Sequence, residues 1–287
     1  MSVHKIALIT DSTCDIPVAL QKQYDIEVVP LSIIWGEEVF RERVDITAPA
    51  FYERLVQDPT YPTTTQPTPA DFANAYRRAA EAGAAEVLVI VISSAMSGTL
   101  TSAQQAAALV TIPVHFVDSK SNSMSLGWQV LAAARAREAG GDVAAMLAAA
   151  EAARKNMVFI ISLDTLDYLH KGGRIGSAAR FIGSLLKLKP QIYVNHETGT
   201  VEGGRQSRTR KRALRELWRD FFAELDTDKP LHIAVLHNAA PAEAEKLAAR
   251  VREEYHPQEL LISIVSPVLG VHTGPRALAL CGYAESE

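Results

Sequence analysis

The residues best suited to chemistry are hydroxyls gathered in two short segments. The first, Ser93-Ser94-Ala95-Met96-Ser97-Gly98-Thr99, places four hydroxyls in seven positions, between the apolar run Val87 to Ile92 and a helical pattern reaching about Leu109. A buried strand that runs into such a turn and then a helix leaves backbone N–H groups free at the positive end of the helix dipole, which welcomes an anion. Ser94, Ser97 and Thr99 add hydroxyl donors there. A lone Ser-x-x-Ser is usually a helix cap, but the density of hydroxyls here favours a ligand. The second segment, Pro62-Thr63-Thr64-Thr65-Gln66-Pro67-Thr68-Pro69, is stiffened by prolines that bar it from a strand interior. It reads as a shaped loop that can hold threonine hydroxyls toward a ligand at reduced entropic cost. The plainer alternative is a surface turn with Thr68 capping the next helix.

Three further segments carry polar groups. In Leu166 to Gly176, Gly172 and Gly173 precede Arg174, which can reach over a pocket mouth or pair with a carboxylate, although a helix C-cap alone accounts for Gly172. His272 stands in the otherwise apolar stretch Pro267 to Pro275, where a histidine is most often structural. Between Arg205 and Arg215 six of eleven residues are basic: Arg205, Arg208, Arg210, Lys211, Arg212 and Arg215. Such a run is commonly a solvated helix face, and it lacks the interleaved aromatics of a single-strand nucleic-acid site. It can also serve as a docking patch for an acidic protein partner.

The phosphate-loop, dinucleotide, nucleophile-elbow and zinc-protease patterns are all missing from the sequence. Ser184-Leu185-Leu186-Lys187 matches S-x-x-K but has no K-T-G companion, and it is set aside. The 29 basic and 33 acidic residues give a net charge of -4, which disfavours nucleic acid as a main partner. Cys14 and Cys281, far apart and without metal-like neighbours, point to neither a disulfide framework nor a metal site and fit a reducing cytoplasm. The first ten residues are too short of apolar character for a signal peptide, and no apolar run approaches the roughly 18 to 20 residues of a transmembrane helix.

These segments need a scaffold. Ile6 to Thr10, Ile26 to Trp35, Val87 to Ile92 and Val114 to Val117 read as strands buried on both faces, separated by helices such as Asp71 to Ala82, which Thr68 and Pro69 introduce. Strands alternating with helices imply βαβ units and a parallel sheet. Two alanine-rich helices, Ser125 to Ala139 and Asp142 to Asn156, close this half. Beyond them come a strand at Val158 to Ser162, a hairpin around Asn195 to Gly199, helices at Lys211 to Leu225 and Ala242 to Tyr255, and strands at Leu231 to Leu236, Leu260 to Val265 and Ala277 to Tyr283. The expected fold class is α/β with two domains. Residues 1–156 form an open, mostly parallel sheet with flanking helices, and residues 157–287 form an α+β domain. The first domain is free to recruit part of the C-terminal tail, and a crevice between the domains is the default site.

In chain order, Thr10-Asp11-Ser12-Thr13, Pro30-Leu31, Thr64-Thr65-Gln66-Pro67, Ser93-Ser94 with Ser97-Gly98-Thr99, Gly172-Gly173-Arg174, Leu185-Leu186-Lys187 with Lys189-Pro190, and His272-Thr273-Gly274-Pro275 form an ordered set. On these motifs the chain resembles the DegV family of bacterial fatty-acid-binding proteins along nearly its whole length. The resemblance implies a non-enzymatic protein without cofactor or metal that holds one long-chain fatty acid, such as palmitate, stearate or oleate, between its domains. In some bacteria such a protein is the acyl-carrying subunit of fatty acid kinase and presents the carboxylate to a separate ATP-binding subunit. The resemblance assigns carboxylate contacts to a threonine of the Thr63-Thr64 pair and to Ser94, with Ser97 close by and His272 in reach. It puts Arg174 near the mouth and links Arg208, Arg210, Lys211 and Arg212 to kinase docking, and it leaves room for transient membrane contact. The family often has serine where this chain has Thr65.

Elementary energetics agree with such a ligand. An acyl tail of about fifteen methylenes offers on the order of 12 kcal/mol of transfer energy, provided the carboxylate is not left unpaired in a dry site. A rival reading is a stand-alone serine acyl hydrolase, with Ser94 or Ser97 as nucleophile, His272 as base and Asp118 or Asp164 as the orienting carboxylate. A third is a regulatory or structural protein whose crevice is filled by side chains.

Overall fold

The computed structural model describes residues 6–181 and 188–285. The S-x-x-K pattern at Ser184 to Lys187 and the Leu185-Leu186-Lys187 motif lie outside the described residues. β1 (Ile6–Asp11) leads through a 3₁₀ turn and α1 (Val18–Gln23) to β2 (Ile26–Val29). Pro30, which has no N–H to pair, ends β2 there. The segment Ile26 to Trp35, expected as one strand, is therefore two, and β3 (Ser32–Trp35) belongs to a different sheet. It pairs antiparallel with β4 (Glu38–Arg41) across the turn Gly36-Glu37, where Gly36 takes φ +62° as a tight hairpin requires. After α2 (Ala48–Gln57), capped by the Thr47 hydroxyl, β5 (Thr63–Thr65) adds to the other side of β3. The threonine segment, expected as a loop, is thus a three-residue edge strand with its prolines just outside the pairing.

α3 (Pro69–Glu81) begins with a capping box between Thr68 and Asp71 and with Pro69 in its first turn. β6 (Glu86–Val91), α4 (Thr99–Ala107), β7 (Val114–Asp118), α5 (Ser123–Glu138) and α6 (Val143–Lys155) follow. Four strands form an all-parallel sheet in the order β2-β1-β6-β7. β1 and β6 are central and buried, whereas β2 and β7 are edge strands and only partly so, less than their apolar composition predicts.

The rest of the chain supplies β8 (Met157–Ser162), α7 (Asp167–Lys171), β9 (Lys189–Asn195), β10 (Thr200–Ser207), α8 (Arg210–Glu224), β11 (Leu231–His237), α9 (Pro241–Tyr255), β12 (Glu259–Ile264), α10 (Pro267–Thr273) and β13 (Leu278–Ala284). Its sheet runs β10-β9-β8-β13-β11-β12, antiparallel except for β11 and β12, which α9 joins as a crossover. The architecture is α/β with two domains, one built on the parallel sheet and one α+β. Alternation along the strands divides the six-stranded sheet into two faces. Ile233, Val235 and Leu280 pack on α8 and α9, while Phe159, Ile161, Leu236 and Cys281 face α5, α6 and the first sheet. Among the described residues no helix is long and apolar enough to cross a membrane.

The loops that end β1 and β6 are tied by one carboxylate. Asp11, fully buried, accepts from Thr13 N at 2.9 Å and Thr13 Oγ1 at 2.6 Å through Oδ1, and from Ile92 N at 2.7 Å through Oδ2. Asp11→Ala removes all three hydrogen bonds and leaves buried donors unpaired, so it should cost about 3 kcal/mol of stability in urea unfolding. A loss below about 1 kcal/mol would show that the bridge is dispensable.

Candidate functional site

Between the inner face of the six-stranded sheet, α10 and the ends of β5 and β6 lies one apolar cavity. Its free volume is about 180 Å³. Phe159, Ile161, Ile192, Val194 and Leu236 line it from the sheet, and Val268 and Leu269 line it from α10. Polar groups line it as well: Thr64, Ser97, His272 and Arg174 from the sequence-derived set, with Thr65, Gln66, Asn122, Asn238 and Thr273.

Each polar group is placed by its element. Thr64 pairs in register with Ile33 of β3 and is half-buried, while its neighbours Thr63 and Thr65 are exposed. The Thr64 hydroxyl meets His272 Nε2 at 3.0 Å. His272 rides the last turn of α10, and burial, with Arg174 nearby, lowers its pKa to about 4, so the ring is neutral at pH 7. Its Nδ1 is buried without a hydrogen-bond partner among the described residues. Asn238 anchors the end of α10, donating from Nδ2 to Thr273 Oγ1 at 2.7 Å and to the Gly274 carbonyl at 2.6 Å.

Ser97 is held by the turn after β6, where the Ser93 carbonyl accepts from Met96 N at 3.0 Å and Ser97 N at 3.1 Å. Its hydroxyl lies 2.8 Å from Thr99 Oγ1, at the first residue of α4. Gln66, donating to Ser102 Oγ at 3.0 Å, crosses directly over Gly98, where a Cβ would come within 2.2 Å of Gln66 Oε1. The proline-flanked strand and the serine turn thereby brace each other. Arg174 spans the rim, donating to the Gly172 carbonyl at 2.9 Å and the Met96 carbonyl at 3.3 Å. Gly172 is the C-cap of α7 at φ −76°, and Gly173 supplies the left-handed turn at φ +68°.

The structure brings Thr64, Ser97, His272 and Arg174 around one cavity and leaves Thr63 and Ser94 off its wall. Ser94 is exposed on an adjoining open depression, and its N–H and hydroxyl both donate to Asp118. The hydrolase relay does not assemble, because Asp118 is engaged by Ser94 and Lys120 and Asp164 by Lys189 and Arg210, so neither carboxylate orients His272. In the basic run, Arg210 pairs with Asp164 and Glu243 and Arg212 pairs with Glu216, whereas Arg208 and Lys211 are exposed and make no ion pair among the described residues. No group of three or more His, Cys, Asp or Glu side chains that could hold a metal ion occurs among the described residues.

Residues 5–285 match the family model described as "Uncharacterised protein, DegV family". The chain belongs to the DegV family. A DegV domain-containing protein of Streptomyces coelicolor is 37% identical over 281 residues, which cover 98% of each chain. A DegV family protein from Thermus thermophilus, described as binding fatty acid, has a TM-score of 0.89 at 33% identity, with 98% of this chain and 99% of that one covered. A stearic-acid-binding protein from Eubacterium ventriosum has a TM-score of 0.89 at 26% identity, with 98% of each chain covered.

Sequence reasoning passed over Asn238 and Asn122 in this DegV chain. Both follow the carboxyl ends of strands, β11 and β7, and that position was the available signal. Gly172 marks how tightly the site is packed, since a Cβ there would lie 2.1 Å from His272 Nδ1. In Gly172→Ala the ring must move and gain water, so an NMR titration should find the His272 pKa risen from about 4 toward its ordinary 6.5. A value still near 4 would mean the site absorbs the methyl without displacing the ring.

Proposed function

We propose that this chain binds one long-chain fatty acid, such as palmitate, stearate or oleate, with its tail in the apolar cavity and its carboxylate on Thr64, Ser97 and His272. The supporting observation is the composition of the cavity wall: Phe159, Ile161, Val194 and Leu236 for a tail, and a cluster of two hydroxyls and a neutral imidazole for a head. The family relatives described as fatty-acid-binding and stearic-acid-binding support the same ligand class. The reading takes Thr64 from the Thr63-Thr64 pair and Ser97 rather than Ser94, because of these four only Thr64 and Ser97 border the cavity. Arg174 lies at the mouth, close enough to offset the carboxylate charge without a buried ion pair, which would desolvate both partners at a cost of several kcal/mol each.

In this reading the protein is a carrier in the cytoplasm, not an enzyme. The ligand lies between residues 1–156 and 157–287, and the carboxylate is presented through the mouth to a separate ATP-dependent kinase subunit. Arg208 and Lys211, the two unpaired cations of the Arg208, Arg210, Lys211 and Arg212 set, are the side chains free to dock that partner.

Native mass spectrometry of the protein purified from a bacterial host should show one fatty acid per chain. Ser97→Ala and Thr64→Ala should each weaken palmitate binding about tenfold or more, the loss of one hydrogen bond to a charged group, while Ser94→Ala leaves it unchanged. No bound lipid, together with no mass shift on adding palmitate or oleate, would remove the carrier reading. Reversing Arg208 and Lys211 to Glu should keep lipid binding and abolish acyl phosphate formation with the kinase. Full activity in that double variant would move the docking surface elsewhere.

A further inference from the structure

Beneath α10 lie two buried carboxylates that ligand binding does not use. Asp15, just after the 3₁₀ turn that follows β1, accepts through Oδ1 from Ser266 N at 2.9 Å and Arg43 Nη2 at 3.3 Å, and through Oδ2 from Ser123 Oγ at 2.6 Å. Glu42, just after β4, accepts from Val268 N at 2.8 Å through Oε1, while Oε2 is buried with the Ser12 hydroxyl beside it. Both residues are fully buried. Between them they hold the first turn of α10, whose Val268, Leu269, His272 and Thr273 form one wall of the cavity. The Tyr52 hydroxyl adds a third tie, donating to the Val265 carbonyl at 3.1 Å.

We propose that Glu42, with Asp15 beside it, is a proton-operated latch on α10. While its carboxyl is protonated the helix stays seated on the cavity, and ionisation unseats it and speeds exchange of the bound fatty acid. The proposal rests on the fatty-acid reading above.

The surroundings set the working range. Burial, opposed by Arg43, raises Glu42 to about 7 and Asp15 to about 6. Cys14 is pushed up to about 12, Tyr52 well above its ordinary value, and His272 at the far end of α10 down to about 4, each by burial first. Asp11, also raised by burial, spends its bonds on Thr13 and Ile92, away from α10. A carboxyl with a higher pKa when seated than when hydrated favours the seated state at low pH, and loses that preference as pH rises through its seated value. Between pH 6 and 8 a rise from the ordinary 4.5 to about 7 at Glu42 is worth about tenfold in the seating equilibrium, and Asp15 adds about twofold.

The test uses the full chain loaded with cis-parinaric acid, with stopped-flow transfer to excess phosphatidylcholine vesicles at several pH values from 6 to 8. The exchange rate should rise about twentyfold across that range in the unmodified protein and about twofold in Glu42→Gln. Arg43→Gln, which removes the counter-charge from a partly exposed position, should move the midpoint to higher pH and serves if Glu42→Gln does not fold. A flat rate in the unmodified protein, a slope kept in Glu42→Gln, or an unmoved midpoint in Arg43→Gln overturns the latch. No binding of cis-parinaric acid at any pH would instead strike the fatty-acid reading itself.

Discussion

A carboxylate buried where two parallel strands end is the constraint on which the rest of this site depends. Asp11 bridges the end of β1 to Ile92 at the end of β6, and burial raises its pKa, a cost that three short hydrogen bonds offset. Because Ile92 is fixed, the turn from Ser93 to Gly98 leaves β6 in one direction only, and Ser97 is delivered to the cavity. The same 3₁₀ turn carries Ser12, which takes the Leu31 N–H at 2.9 Å and so sets the departure of β3. β3 in turn carries β5 and Thr64. One short segment at the end of the first strand thus aligns both hydroxyls.

The carboxyl edge of a parallel sheet is where such folds ordinarily receive ligands. Here the turn of the β9–β10 hairpin covers part of that edge. The Gly199 carbonyl accepts from Ser93 Oγ at 2.8 Å, and a Cβ on Gly199 would lie 2.1 Å from that oxygen and 3.3 Å from the Lys120 Cα. Arg154 pins the same turn by donating to the His196 carbonyl at 2.6 Å. The turn covers the ends of β6 and β7 only in part, and the space beside them faces α10 and the second sheet, whose inner face is aliphatic. That space is walled mainly by apolar side chains.

Much of this was legible in the sequence. The helix starts at Thr68 and Asp142 follow from capping chemistry that is complete within four residues, and the βαβ order followed from alternation alone. What the sequence hid depends on distant partners. Ser94 and Ser97 are chemically equivalent three positions apart, and which of them borders the cavity depends on Asp118, which holds Ser94 at the surface from 24 residues away. Thr63 and Thr64 are likewise equivalent until β5 pairs with β3, and that pairing was invisible while Ile26 to Trp35 read as one strand. The apolar cavity wall comes from β8, β9 and β11, which sheet pairing alone brings side by side.

The order of the second sheet also governs how the cavity closes. β13, which follows every other described strand, lies in the middle of that sheet, hydrogen-bonded to β8 on one side and β11 on the other. Until β13 is in place, β8 and β11 have unpaired inner edges and the cavity lacks the wall that Leu278 and Ala279 provide. This half of the molecule therefore closes through contacts of high sequence separation, which form slowly and leave strand edges exposed meanwhile. A chain whose β13 has not yet inserted offers two strand edges to any other chain that can pair with them.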